Sequence, residues 1–394
     1  MYRYNVSAYD AANNQGLNST SASATTLPPP NLSCTQTLSP GANVALAVTS
    51  AAPGSIICLN SGSYGAVSLA NFIKSPRVTI KSVSGQGGSF ALSTNNVNGL
   101  TFDKVTITSY DRLQGSNTKN LTFQNCVATG RGWYWDVTGI VDGNLLIDNC
   151  TFINVGQSVG EGRLHITWPG GPGTQSSGVT VKNSLFENSP PGCTTGVSDS
   201  DGIQVGAYGV VIGPGNTFRG IQQGSCSAHV DSIQPFGQSH TRITGNFFIN
   251  NEVNIGAYAS GNTEQVDNNV FVLGASGVFH HNNVGLNLGP NSLVFHNTFK
   301  DVHVWSEGSN QMWRDNIFVN SDWDNGPLGW SGTQTTNLFD AASTPRGTNQ
   351  ILGSPTFIGG VNPVTWAGFQ LATGSLGKNA ASDGNDVGTN FYGP

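Results

Sequence analysis

Two segments of the sequence carry acidic and amide side chains at matching positions. The segments DSDGIQV, at 199–205, and HVDSIQP, at 229–235, align on a central isoleucine. The side chains that then share a position are Asp199 with His229, Asp201 with Asp231, and Gln204 with Gln234. Adjacent parallel strands lie about 4.8 Å apart, so two such carboxylates repel, which raises the pKa of one and leaves the other ionised. A glycosidase uses that split, with a protonated acid and a charged partner.

The same alignment reaches further side chains that could bind a sugar. The segments WDVTGIVDG, GRLHITWPG and NEVNIGAYA align through Ile140, Ile166 and Ile255. The residues expected to contact substrate are Gln204, Gln234, Arg163, His165, Trp168, Trp135 and Glu252. The consecutive aromatics at 133–135 cannot all face a core, because strand side chains alternate, and an exposed indole can stack on a pyranose ring. A simpler interpretation stays open for each aspartate, because Asp at the start of a strand often caps a turn.

Two other functions fit the same residues. In a polysaccharide lyase or sugar epimerase, Asp199, Asp201 and Asp231, with Glu252 beside them, could hold Ca²⁺, which prefers several oxygen ligands. An arginine would then remove a proton from a uronate. The residues considered for that role are Arg163, Arg219 and Arg242. Alternatively, the polar positions form only the binding surface of a non-catalytic glycan-binding or adhesin protein. The main prediction is a hydrolase that requires no cofactor, with Asp201 and Asp231 as its carboxylate pair and with Asp199 and His229 assisting them.

An internal repeat predicts how these segments are positioned. A short strand of β-branched or aromatic residues is followed by an asparagine and then by a second strand led by an apolar residue, as in NLTFQNCVATG. The asparagines are Asn125, Asn149, Asn183, Asn216, Asn246, Asn269, Asn297 and Asn316, with spacings of 19 to 34 residues. Asn tolerates left-handed backbone at a bend, and its amide can bond the equivalent Asn one coil away. The repeat predicts a parallel β-helix with internal ladders of aliphatic and Phe side chains.

Both ends of the repeat region resemble a known superfamily. The opening APGSIICLNSGSY and the closing FQLATGSLGKNAASDGNDVG are similar to the first and last coils of pectin-lyase-like proteins. The resemblance implies an all-β fold, a right-handed single-stranded parallel β-helix. DSDGIQV followed by HVDSIQP also resembles the polygalacturonase-type glycoside hydrolases, in which aspartates of both segments are catalytic, and this implies such a role for Asp201 and Asp231. The histidine and basic residues of that family's pattern have no counterpart here.

Four regions follow from these patterns. Residues 1–17 resemble the last strand of a fibronectin type III domain, and residues 18–31 form a Ser/Thr/Pro-rich linker. Residues 32–325 are the predicted β-helix, and residues 326–394 are its closing coil and tail. The strand-like start of the chain leads us to expect other domains of a longer parent chain.

Composition and cysteine content narrow the class of protein. Charged residues make up 10% of the chain, the formal net charge is −6, and no run of Lys or Arg is present. Nucleic-acid binding is therefore not expected, and no apolar stretch is long enough to predict a membrane span. The predicted partner is a polysaccharide or oligosaccharide. The six cysteines predict secretion and the disulfides Cys34–Cys58, Cys126–Cys150 and Cys193–Cys226. For the second pair, free thiols stacked between coils remain the alternative.

Overall fold

A computed structural model describes most of the chain. The described residues are 2–4, 22–24, 33–156, 162–168, 175–187, 201–222, 230–237, 240–257, 263–273, 284–306, 308–325 and 331–390. Four of the residues singled out above lie outside these ranges, namely Asp199, His229, Cys193 and Cys226.

The described elements are almost all β-strands, as predicted. The first are β1 (Tyr2–Tyr4), β2 (Ala22–Ala24), β3 (Gln36–Leu38), helix α1 (Val44–Ser50), β4 (Ile56–Leu59), β5 (Gly62–Ser82), β6 (Gly88–Asp103), β7 (Thr106–Gln114), β8 (Lys119–Gln124), β9 (Val127–Ala128), β10 (Trp133–Asp136), β11 (Leu145–Asp148), β12 (Thr151–Ile153), β13 (Gly162–Thr167), β14 (Val179–Lys182), β15 (Leu185–Glu187), β16 (Asp201–Val205) and β17 (Val211–Ile212). The remainder are β18 (Thr217–Arg219), β19 (Asp231–Pro235), β20 (Arg242–Thr244), β21 (Phe247–Ile249), β22 (Val253–Gly256), β23 (Gln265–Asp267), β24 (Val270–Val272), β25 (Val284–Asn287), β26 (Leu293–Phe295), β27 (Thr298–Lys300), β28 (His303–Ser306), β29 (Gln311–Arg314), β30 (Ile317–Val319), β31 (Asp322–Asn325), β32 (Gly332–Thr335), β33 (Leu338–Phe339), β34 (Ile351–Leu352) and a 3-10 turn (Trp366–Phe369).

Every third strand pairs in parallel, so the chain winds into a right-handed parallel β-helix with three faces. Sheet A contains β8 and each third strand to β32, and sheet B runs from β9 to β33 and then β34. Sheet C runs from β10 to β31. The stack therefore continues beyond residue 325, the predicted end of the β-helix, through β32, β33 and β34. One turn of this solenoid, called a coil below, supplies one strand to each sheet.

A row of stacked phenylalanines fills the inner side of sheet B. The rings of Phe152, Phe186, Phe218, Phe248, Phe271, Phe299, Phe318 and Phe339 stack in sequence. Neighbouring centroids lie between 4.6 Å and 5.0 Å apart. Because adjacent parallel strands have nearly the same spacing, one ring per coil packs without a void. The predicted Phe ladder is confirmed.

The asparagines of the repeat fall into two neighbouring rows, not one. Asn125, Asn149 and Asn183 have φ of 55°, 53° and 52° and turn the chain. The next position points inward and forms a buried hydrogen-bonded ladder. This inner ladder contains Asn216, Asn246, Asn269, Asn297, Asn316 and Asn337. The single predicted row was wrong because an Asn at either position gives the same local pattern.

Two cysteines extend the inner ladder toward the amino terminus. Cys126 and Cys150 are free and buried, so the predicted Cys126–Cys150 disulfide is wrong. The Cys126 amide donates to Cys150 Sγ at 3.3 Å, and the Cys150 amide donates to Ser184 Oγ at 3.0 Å. Burial, reinforced by the neighbouring Cys150, raises the pKa of Cys126 well above its usual value. Such thiols are unreactive. The Cys34–Cys58 disulfide is confirmed, with its Cα atoms 5.6 Å apart.

Non-repeating segments precede and follow the stack. Asn43 caps the amino-terminal end of helix α1 by accepting from the Leu46 amide, and the helix buries Val44, Ala47 and Val48 over the first coils. The tail after β34 folds back along the outer side of sheet B. Its apolar residues, among them Phe357, Phe369, Leu371 and Val387, cluster with Phe247, Val270, Ile317 and Leu338 of that sheet.

The predicted amino-terminal regions gain no support as separate units. Within residues 1–31, the structure describes only β1 and β2, which pair antiparallel. The fibronectin type III resemblance is not supported by any of the comparisons reported below. No helix among the described residues is both long and apolar enough to cross a membrane.

Candidate functional site

The predicted strand register of sheet C is correct from β16 to β22 and wrong for β10 and β13. Ile203 pairs with Ile233, and Ile233 with Ile255, as predicted. One coil earlier, however, Leu164 rather than Ile166 lies beside Ile203. Ile140 follows β10 instead of standing within it. A two-residue offset keeps the same side chains facing inward, so the hydrophobic pattern does not distinguish the two registers.

Asp201 and Asp231 are neighbours on adjacent coils, and neither carboxylate is exposed. Each stands two residues before an inward-facing isoleucine, and both side chains are completely buried. Asp201 Oδ1 accepts a hydrogen bond from the Asp231 amide at 2.8 Å. This contact resembles the strand-start capping considered above. Their role as a catalytic pair stays a prediction that this arrangement, in which neither carboxylate is exposed, does not favour.

The outer side of sheet C carries a row of polar and aromatic side chains across four coils. Tyr134, His165, Gln204 and Gln234 occupy equivalent positions, and we call them the outer row. The Tyr134 and His165 rings stack at 5.1 Å with 15° between their planes. Gln204 Nε2 donates to Gln234 Oε1 at 2.6 Å. The row spans about 14 Å along the solenoid axis, since each coil advances about 4.8 Å.

An ion pair borders the outer row at Tyr134. Arg112 Nη2 lies 2.9 Å from Asp136 Oδ2, and its guanidinium is 5.8 Å from the centre of the Tyr134 ring. Burial raises the pKa of Tyr134, and the charge of Asp136 raises it further, while Arg112 opposes them. Burial also pushes the pKa of Asp136 upward, but hydrogen bonds from Thr138 and Arg112 outweigh it and hold that pKa below its usual value. At neutral pH the phenol is therefore protonated and the carboxylate ionised.

Of the three arginines considered as bases, only Arg163 belongs to sheet C. It is completely buried, and its Nη1 donates to the Glu187 carbonyl at 3.3 Å. Burial lowers the pKa of Arg163 to about 10, although the charge of Asp201 partly opposes that shift. Arg219 lies on sheet B, paired with Glu187, and Arg242 lies on sheet A, paired with Asp267. The latter two cannot act on a polymer lying on sheet C.

The remaining predicted contacts are divided between core and surface. Trp135 is fully buried in the core, so its indole face is not available to a sugar, which corrects the expectation for this residue. Trp168 is half-buried and packs against the core. Glu252 is half-buried, just before the start of β22. Tyr134 was not among the predicted contacts, although the alternation of side chains along Trp133–Trp135 already required one outward aromatic.

Phe236 completes the aromatic part of the site. The Phe236 ring lies 5.7 Å from the His165 ring. Tyr134 belongs to the coil before that of His165, whereas Phe236 belongs to a later coil. It stands two residues after Gln234 on the same outer side of sheet C. The imidazole of His165 is therefore bordered by two aromatic rings, and the residue as a whole is 9% exposed.

The described residues provide no group of three or more His, Cys, Asp or Glu side chains that could hold a metal ion. Asp201, Asp231 and Glu252 are the described members of the expected Ca²⁺ site, and Asp199 lies outside the described residues. Calcium, which takes six to eight oxygen ligands, therefore stays a prediction for this site.

Comparisons with known proteins identify the fold. No protein-family model and no curated protein matches the chain. Among solved structures, it is similar to a mannuronic-acid-specific polysaccharide family 6 lyase from human gut microbiota, with a TM-score of 0.56 and 14% identity over 81% of this chain and 82% of that one. An alginate lyase of the same family has a TM-score of 0.47 at 14% identity over 91% and 59% of the two chains. The pectate lyase Pel9A has a TM-score of 0.42 at 15% identity over 91% and 97%. The chain thus has the right-handed parallel β-helix fold that the sequence predicted.

Proposed function

We propose that this protein is a polysaccharide lyase that cleaves a uronate-containing polymer on the outer side of sheet C. The observation that carries the proposal is the stacked Tyr134–His165 pair, which continues into the amides of Gln204 and Gln234. A row of this length along the solenoid axis suits an extended polymer. The similarity to a mannuronic-acid-specific lyase favours an acidic sugar over a neutral one.

The pair offers the two proton transfers of a β-elimination. His165 takes the proton from the ring carbon that bears the uronate carboxylate. The electrons of that C–H bond form a double bond to the adjacent carbon, whose bond to the glycosidic oxygen breaks. Tyr134 donates its phenolic proton to the leaving oxygen, and the raised pKa of Tyr134 keeps that proton in place at neutral pH.

Positive charge near the pair stabilises the intermediate. Removing the proton places negative charge on the uronate carboxylate, where an oriented cation lowers the barrier. Arg112 is half-exposed beside Tyr134 and can contact that carboxylate. Arg163 is completely buried in β13, so it acts on the substrate only through its charge and not by direct contact.

A hydrolase, our main expectation from the sequence, receives less support. A glycosidase needs a protonated carboxylic acid and a second carboxylate on either side of the scissile bond. Asp201 and Asp231 are buried, and Asp136, on the outer face, is held ionised. The lyase alternative needs neither carboxylate. The Cys34–Cys58 disulfide favours an extracellular site of action, where such polymers occur.

The proposal is tested with a panel of acidic and neutral polysaccharides, read for both new reducing ends and the ultraviolet absorbance of unsaturated uronate. We expect unsaturated products from at least one uronate polymer. Tyr134→Phe and His165→Gln should each lower kcat/KM by roughly 10²- to 10⁴-fold, which is the usual contribution of one acid or base.

The chain contains a matched control pair. The Tyr208 and His240 rings also lie close together, with centroids 4.4 Å apart and 41° between their planes, but they are in turns between sheets C and A. Tyr208→Phe and His240→Gln should leave kcat/KM unchanged. Reducing ends without unsaturation would contradict the lyase and restore the hydrolase. Binding of a polymer without cleavage would favour a glycan-binding solenoid.

A further inference from the structure

A second concave site lies away from sheet C. A cleft of about 1020 Å³ opens at the corner between sheets A and B, where the carboxyl-terminal tail stops covering sheet B. Its floor includes Phe247 and Ile249 of β21, and its wall is the tail segment Val364–Trp366. A cleft of this size holds a small ligand of several rings. Nothing in the proposed lyase reaction uses it.

The wall of the cleft is anchored to the solenoid. Trp366 Nε1 donates to the Asn268 carbonyl at 3.4 Å, and the Asn390 amide donates to Asn268 Oδ1 at 3.1 Å. Phe369, at the end of the same 3-10 turn, packs 6.3 Å from the Phe247 ring. The tail therefore holds an aromatic and an apolar side chain in fixed positions over the floor.

Two arginines line the cleft, and each is held by two hydrogen bonds to one carboxylate. Arg219 uses Nε and Nη2 to bind Glu187, at 3.0 Å and 2.7 Å. Arg242 binds Asp267 in the same way, at 3.1 Å and 3.2 Å, and Asp267 also accepts from Thr244 at 2.6 Å. A guanidinium has five N–H donors, so each arginine keeps the others available. Both side chains are about half-exposed.

We propose that this cleft binds an uncharged oligosaccharide. Each guanidinium is already balanced by a carboxylate, so Arg219 and Arg242 add donors to the cleft without adding net charge. An acidic ligand would gain little from them and would be repelled by Glu187 and Asp267. Sugar hydroxyls accept from such donors, and the apolar face of a pyranose packs on aromatic and aliphatic surfaces such as Phe247 and Val364. The cleft would hold the enzyme on a neutral glycan while sheet C acts on another polymer.

The test is isothermal titration of the full chain with neutral gluco-, xylo- and manno-hexaoses, and with an oligouronate for comparison. Three variants address the cleft: Trp366→Ala, Arg219→Gln and Val364→Glu. Val364 is 76% exposed, so its replacement leaves the fold intact and keeps the test valid if Trp366→Ala loosens the tail. Arg131→Gln, an exposed arginine outside both sites, is the control.

We expect at least one neutral hexaose to bind, each cleft variant to weaken that binding tenfold or more, and the control to leave it unchanged. The proposal is overturned if no neutral hexaose binds or if binding survives all three variants. Tighter binding of the oligouronate in the cleft would also overturn it, because the charge argument would then be wrong. Tyr134→Phe should not affect binding of the neutral probe, so failure of the lyase proposal and failure of this one are separable.

Discussion

Gly206→Ala should damage the proposed active site without damaging the fold. Gly206 lies on the outer side of sheet C, and the Phe236 ring rests on it. A Cβ added at Gly206 would come within 2.2 Å of Phe236 Cε2, 2.3 Å of Cζ and 2.9 Å of Cδ2. Ordinary contact requires about 3.5 Å, so the ring must move by more than about 1 Å. The Phe236 ring borders His165, so the imidazole loses its support on that side.

The expected size of the effect follows from that displacement. A misplacement of about 1 Å at a catalytic group can lower the rate about 100-fold. We expect Gly206→Ala to lower kcat/KM of the proposed uronate cleavage by 10- to 100-fold, as a rough estimate on the same basis. The thermal midpoint should change little, because Phe236 is only half-buried and can swing outward. The assay is unsaturated-product formation together with a thermal unfolding curve for each variant.

A double-mutant cycle decides whether Phe236 transmits the effect. In a Phe236→Ala background there is no ring to displace, so adding Gly206→Ala should change nothing further. The same cycle can be read, without relying on turnover, from the imidazole proton resonances of His165. Equal losses in both backgrounds, or full activity in Gly206→Ala, would refute the link between Phe236 and His165.

Three more predictions concern the frame of the site. Asn246→Ala removes hydrogen bonds to Asn216, Asn269 and the Ile212 carbonyl. At about 1 kcal/mol each, their loss should lower the free energy of unfolding, measured with urea, by about 3 kcal/mol. A decrease smaller than the value of one bond would mean that water replaces the lost bonds in the ladder. Cys150→Ser should lower the free energy of unfolding by less than about 1 kcal/mol, because the next coil already has a serine, Ser184, at this ladder position. In the wild-type protein, unfolded without reductant, alkylation mapped by mass spectrometry should label Cys150. Asp383 has a lowered pKa: burial would raise it, but hydrogen bonds from Asn385 and His296 outweigh burial. Its contribution to tail docking is therefore present above its usual pKa of 3.8 and lost as pH falls through the lowered value, so acid titration of tryptophan fluorescence should show a low-pH transition that Asp383→Asn removes.

The sequence was sufficient to predict the fold because every coil of the solenoid has the same structural requirements. Each coil needs one residue with left-handed backbone and one inward ring, and those demands recur as Asn and Phe along the chain. Because of the same regularity, the sequence did not show which of two neighbouring positions in the coil each asparagine occupies. Asn183 and Asn216 look alike in sequence, yet the first turns the chain and the second joins the buried ladder. Cys150 occupies that ladder too, which its spacing from Cys126 could not separate from a disulfide.

The site was only partly predictable, for a related reason. Gln204 and Gln234 were placed together because both follow an isoleucine in the same short pattern, and they do form a hydrogen bond. Asp201 and Asp231 fit the pattern equally well, but both side chains are completely buried. The pairing of Tyr134 with His165 depends on the register of β10 against β13, in which Trp135 rather than Ile140 lies beside Ile166, and no local pattern reveals that offset.

The inner ladders determine how well the outer row can do chemistry. Tyr134 and His165 come from different coils, so their separation is fixed by how those coils stack and not by a contact within one loop. The Phe152 and Phe186 rings lie 4.6 Å apart inside the next coils, close to the 5.1 Å between the Tyr134 and His165 rings outside. A core that holds each coil at one spacing therefore also orients two outward rings against each other. Reactive side chains on a stack of this kind can then be few and weakly charged, as they are here, because the scaffold supplies their alignment.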